Sequence, residues 1–125
     1  MNLLLDSHAL LWALASPEQL MPDARDAIAD PANAVVYSVA SVWELELKAA
    51  KGKLSLPPEW LEAAHRTGFV EWKIEAAHAI ASTRLPWHHS DPFDRLLVAQ
   101  AQAQKFTFVT RDSMLATYGI PLLLA

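Results

Sequence analysis

The chain has 125 residues, 53% of them hydrophobic, with 14 acidic against 10 basic side chains and a formal net charge of -4. That length and apolar content suit a single core, and the absence of cysteine excludes disulfide frameworks, thiol nucleophiles and cysteine-ligated zinc or iron–sulfur centres. The negative balance excludes nucleic-acid binding by bulk electrostatics, so any such role must be local.

The predicted elements alternate short β-rich runs with helix-like stretches, the pattern of an α/β sandwich around a small, mostly parallel sheet. The first strand is Leu3 to Leu5, an apolar run that Asp6 interrupts too early for a secretory segment; no later run is long enough to span a bilayer. A cytoplasmic protein is the expectation. "PDARDAIA" opens with Pro22 where a first helical turn tolerates proline, and the second strand is Val35 to Tyr37. "SVWELELKAAKG" runs from a Ser41 cap, with Glu44 completing a capping box, to a stop at Gly52. "LPPEWLEAAHRTG" repeats that grammar from Pro58 to Gly68 and feeds the third strand, Phe69 to Trp72. "EAAHAIASTRL" is helical up to Pro86. Asp91, Pro92 and Asp94 then read as the N-cap, N1 and N3 of the helix that leads to the fourth strand, Phe106 to Val109. Asp112 with Ser113 starts a last helix, and Leu122 to Leu124 is the fifth strand. No repeat, low-complexity segment or Gly/Ser linker divides the chain, so residues 1–125 are read as one domain.

Four acids fall near the carboxyl ends of these strands: Asp6 directly after the first, Glu44 beyond the second, Asp94 in the helix that feeds the fourth, and Asp112 just after the fourth. In open α/β sheets the functional crevice lies at that edge. Carboxylates converging there repel by about 4 kcal/mol per pair at 4 Å, so the cluster must either protonate or bind a cation. Oxygen ligands of this kind suit Mg²⁺ or Mn²⁺, ions that orient a phosphodiester and activate water.

Each acid also has a structural reading. Asp91 is better explained as a cap than as a catalytic group, and Asp94 is open between the two. Glu44 and Asp112 taken singly are capping residues, whereas Asp6, an acid ending an apolar strand, leans toward function. His88 and His89 read as a solvent-facing pair before the cap, His8 as a neighbour of Asp6, and His65 and His78 as helix residues without chemical roles. The five tryptophans, scattered over different elements, read as core or interface residues. Lys48, Lys51 and Lys53 form the densest basic segment and the best local candidate for phosphate contact, followed by Arg95 and Arg111.

Taken together, "LLLDSHALLWAL", "YSVASVWELELKAAKGKL", "LPWHHSDPFDRLLVAQAQ" and "FTFVTRDSML" resemble the PIN-domain family, and more narrowly its VapC-like toxins of type II toxin–antitoxin systems. The resemblance spans nearly the whole chain and implies a PIN-like three-layer sandwich, a small sheet flanked by helices. It further implies that Asp6, Glu44, Asp94 and Asp112 are the acidic quartet around the metal, with Asp94 rather than Asp91 as its third member. The implied activity is a Mg²⁺- or Mn²⁺-dependent endoribonuclease acting on RNA; the implied partners are a cognate antitoxin and a second copy in a homodimer. Ser7 stands where threonine is common in such proteins and keeps the hydroxyl, available to a metal-bound water or to the Asp112 region.

Two rival readings belong to other classes. A Mg²⁺-binding signalling receiver would need a phosphoacceptor aspartate, and the middle strands "VVYS" and "FVEW" end without one. A non-catalytic metal- or protein-binding PIN scaffold would show metal-dependent stabilisation without RNA cleavage.

Overall fold

The computed structural model describes residues 1–125. Its five strands, β1 (Asn2–Leu5), β2 (Ala34–Ser38), β3 (Val70–Trp72), β4 (Thr107–Thr110) and β5 (Leu122–Leu124), lie in the order β3-β2-β1-β4-β5. Every pairing is parallel, so the sheet predicted as mostly parallel is wholly so. The helices are α1 (Ser7–Ala15), α2 (Pro22–Ala29), α3 (Val39–Ala50), α4 (Trp60–Thr67), α5 (Ala76–Arg84) and α6 (Pro92–Gln104), with 3₁₀ turns at Pro17–Gln19 and Ser113–Tyr118.

The strand period of two builds two cores. Leu3, Leu5, Val35, Tyr37 and Val109 face a layer containing Ala9, Leu10, Leu45, Trp60 and Ala64. Leu4, Val36 and Phe108 face the opposite layer, with Leu97, Val98, Ala101 and Leu115. Because helices cover both faces of the sheet, β1 carries three consecutive leucines with no polar alternation, and all three are buried. The result is a three-layer α/β/α sandwich. No helix is long and apolar enough to cross a membrane.

Local chemistry corrects several sequence expectations. Helix α1 was not anticipated: "SHALLWALA" is apolar around most of its circumference and lacks the amphipathic period that marks a surface helix. The Ser41–Glu44 capping box does not form. Strand β2 runs into α3 with no intervening loop, so Ser38 becomes the cap, accepting from the Ala40 amide at 3.0 Å. Ser41 is left buried inside the helix without a hydrogen-bond partner, and Glu44 lies well past the first turn. Helix α4 starts at Trp60, two residues after Pro58, with Glu59 held at φ 57°. The last helix is a 3₁₀ segment, capped by Asp112 through the Met114 amide at 3.0 Å. Helix α6 starts as its sequence dictates, with Asp91 Oδ1 accepting from the amides of Phe93 at 2.8 Å and Asp94 at 3.1 Å.

Two features of this frame shape the carboxyl edge. The chain steps outward from β1 to β2 and β3, then crosses back to β4 on the other side of β1. Helix α1, leaving β1, packs on one face and the 3₁₀ segment after β4 packs on the other, so the connections part and open a crevice between the two strand ends. Helix α3 ends in a Schellman closure: Gly52, at φ 73°, donates to the Ala49 carbonyl at 3.0 Å, and Lys53 donates back to the Lys48 carbonyl at 2.9 Å.

Candidate active site

The crevice is a cleft of about 240 Å³ lined by Asp6, Glu44, Asp91, Asp94 and Asp112, by Ser7 and Thr110, and by His8, Lys48 and Arg111, with no hydrophobic side chain among them. All four acids singled out from the sequence therefore reach one cavity, each from a different element. Asp91 joins them at the edge while capping α6.

Asp6 is the deepest. Its main-chain amide donates to Val109 at 2.9 Å, continuing the β1–β4 ladder. Its side chain then caps α1, Oδ1 accepting from the Ala9 amide at 2.7 Å, while Oδ2 accepts from Thr110 Oγ1 at 2.6 Å. Burial pushes this carboxyl above its ordinary range, against the pull of those two hydrogen bonds and of nearby His8; Glu44 adds to the push. Asp94 is raised to about 6, first by burial and then by the charges of Asp91 and Asp6, while its hydrogen bond to His89 works the other way. Burial, followed by the charge of Arg111, holds His8 below the usual histidine value.

Four contacts were not foreseen from the sequence. Ser7 Oγ donates to Glu44 Oε1, so its hydroxyl serves Glu44 and not the Asp112 region. Lys48 Nζ stands 2.8 Å from Glu44 Oε2; the Glu44–Lys48 spacing on one helix was the available signal. Thr110 supports Asp6, and nothing in "FTFVT" marks that threonine apart from its place at a strand end. His89 is no bystander: Nε2 lies 2.9 Å from Asp94 Oδ2 and 3.7 Å from Asp112 Oδ2. His88 is exposed and lies against Tyr118, outside the cleft.

Arg95, expected as a phosphate contact, is buried. Its guanidinium donates to the carbonyls of Ser82, Leu85, Pro86 and His89 at 2.8 to 3.1 Å and stacks 3.6 Å from the Trp87 ring centre. Arg111 does border the cleft. Among the tryptophans, read as core or interface residues, Trp60 is core, whereas Trp43 and Trp87 are 61% and 72% exposed. His78 is buried and closes the start of α5, its Nδ1 accepting from the Glu75 amide at 3.0 Å.

The donor set fits a hard divalent cation. Ligand atoms of His89, Asp94 and Asp112 lie within 4.8 Å of one another, and Asp6 and Glu44 add carboxylate oxygens in the same cleft. Burial first, and neighbouring carboxylates after it, raise both Asp6 and Asp94, and positive charge placed in the cleft would favour their ionised forms.

A wholly parallel α/β/α sandwich with an acidic cleft at its switch point defines the class of protein. The PIN domain description matches residues 3–120, and the chain belongs to the PIN domain family. It is 30% identical to Ribonuclease VapC22 of Mycobacterium tuberculosis, over 96% of this chain and 94% of that protein. Among solved structures it is similar to the VapBC2 complex of Rickettsia felis bound to a promoter DNA fragment, at 14% identity and a TM-score of 0.69 over 99% of this chain and 98% of the other. A toxin–antitoxin complex from Klebsiella pneumoniae gives 22% identity and a TM-score of 0.63, covering 96% and 94% of the two chains.

Proposed function

We propose that this chain is a Mg²⁺-dependent endoribonuclease, with Mn²⁺ as a working substitute, and the toxin of a toxin–antitoxin pair. The supporting observation is the convergence of carboxylates from four separate elements on one cleft, in a chain 30% identical to a ribonuclease over nearly its whole length. In this reading residues 1–125 act as one catalytic domain in the cytoplasm, a homodimer in its active form, with a cognate antitoxin that blocks the cleft. The antitoxin is supported by the complexes among the structural neighbours.

Asp6 and Asp94 would hold the principal ion, with Glu44 and Asp112 completing the cluster. When bound, the ion supplies positive charge for the developing oxyanion and acidifies the attacking water. The chain's own groups prepare the geometry. Thr110 and the Ala9 amide fix both oxygens of Asp6, leaving each with lone-pair capacity. Glu44, gripped by Ser7 and Lys48, accepts from a water and orients it toward the phosphodiester, while Lys48 and Arg111 offer positive charge to the phosphate. The deciding experiment is RNA cleavage with Mg²⁺ or Mn²⁺ by wild type, Asp6→Asn and Asp94→Asn. Loss in both variants is expected; unchanged cleavage in both sinks the mechanism.

A further inference from the structure

A second depression of about 190 Å³ continues from the acidic cleft, sharing Glu44, Lys48 and Asp91 with it. Beyond those residues it is lined by Leu47, Lys51, Lys53, Pro92 and Phe93, and Trp43 stands at its rim against Phe93. Its wall is built by the two helices that supply Glu44 and Asp94, and in each the residue just before the acid is aromatic: Trp43 before Glu44, Phe93 before Asp94. These two rings meet edge to face, centroids 5.1 Å apart at 71°, so neither swings freely. Trp43 nevertheless remains 61% exposed. On α3, Trp43, Leu47 and Lys51 follow one another at four-residue spacing and form a single stripe beside the Glu44–Lys48 stripe.

Three of the five lysines in a chain of net charge -4 lie between residues 48 and 53. The Schellman closure folds Lys53 back over the last turn of α3, gathering Lys48, Lys51 and Lys53 around one groove instead of spreading them along an extended tail. A fixed aromatic face next to clustered ammonium groups is the combination that binds single-stranded nucleic acid, one part taking a base and the other its phosphates. Duplex RNA keeps its base faces stacked and offers none to such a ring. Five of the eight residues lining the groove are charged and three of those are lysines, a density of positive charge that suits a phosphate chain.

We propose that this groove is the entry track for the single-stranded RNA segment adjoining the scissile phosphate, with a base stacked on Trp43 and the neighbouring phosphates on Lys51 and Lys53. The proposal rests on the ribonuclease reading and adds the surface that orients the strand. It also resolves the charge problem: an overall acidic protein holds RNA through one local cluster.

The test uses the full chain carrying Asp94→Asn, to keep the probe intact, and a labelled mixed-sequence oligoribonucleotide of about a dozen nucleotides, single-stranded or annealed to its complement. Fluorescence anisotropy is expected to show preference for the single strand and a weakening of about tenfold for Trp43→Ala, with Trp43→Phe retaining most of the affinity. The double variant Lys51→Ala/Lys53→Ala is expected to lower the slope of log K against log salt by roughly 1.4, two phosphates' worth. Unchanged binding in both variants, with circular dichroism showing them folded, overturns the proposal. So does equal affinity for duplex, or loss of binding to a co-expressed antitoxin while RNA binding is intact, which assigns the face to a protein partner. Cleavage by the otherwise wild-type chain separates the two readings: an active wild type matched by Trp43→Ala overturns the track alone, whereas an inactive wild type overturns the ribonuclease.

Discussion

Thr110 Oγ1 donates to Asp6 Oδ2 at 2.6 Å, joining residues 104 apart in sequence across the ends of adjacent strands. The bond holds the deepest carboxylate of the cleft in one orientation and favours its charged form against burial. Thr110→Val keeps the side-chain shape and removes the donor. A loss of about 10- to 100-fold in activity or Mn²⁺ affinity is expected, with Thr110→Ser restoring most of it. Cleavage rates titrated against Mn²⁺ check this.

The carboxyl of Asp94 sits at about 6 in the folded protein against an ordinary 3.8. A raised acid stabilises the fold below its unfolded value and loses that contribution as pH climbs through the folded one, here between about 4 and 6. Metal-free protein at pH 7 therefore carries an unrelieved charge, and Asp94→Asn is expected to be more stable there by ~2 kcal/mol. The difference between the two melting temperatures should shrink as pH falls from about 7 to 5. A constant difference over that range would contradict the assignment.

Manganese should reverse the same strain. At about a hundredfold excess over its dissociation constant the ion adds roughly 2.7 kcal/mol to the stability of the wild type. Asp6→Asn should abolish most of that increment while leaving the metal-free melting temperature within a few degrees, since asparagine still caps α1. Thermal melts with chelator and with Mn²⁺ measure both.

Arg95 forms no ion pair; its charge is met by four carbonyls, the Tyr118 hydroxyl at 3.3 Å and the Trp87 face. Lysine cannot reproduce a planar array of five donors. Arg95→Lys is expected to cost about 2 to 3 kcal/mol and Arg95→Ala more, read from urea unfolding. Because the same cage ties down the His89 carbonyl, activity should fall further than stability alone accounts for.

The strands, the cap at Asp91 and the meeting of Asp6, Glu44, Asp94 and Asp112 at one edge were legible because they depend on local grammar and on the geometry of parallel sheets. Helix α1 was hidden because a helix apolar on most sides has no polar face to give it a period. Ser38 was missed as a cap because β2 passes into α3 without a turn residue. The supporting contacts from Thr110, Ser7 and His89 depend on which strands and loops become neighbours, and Arg95 looked like a surface cation because its four carbonyl partners lie at the end of α5 and in the loop after it, whose path no short-range pattern specifies.

Asp6 and Asp112 each do two jobs with one side chain, closing the start of a helical segment as well as facing the cleft, whereas the side chains of Glu44 and Asp94 cap nothing. Drift at the first pair is therefore penalised twice, and drift at the second only through chemistry. A population selected for escape from this protein's activity should therefore collect the widest variety of lesions at Glu44 and Asp94, and at Asp6 chiefly asparagine, which keeps the cap.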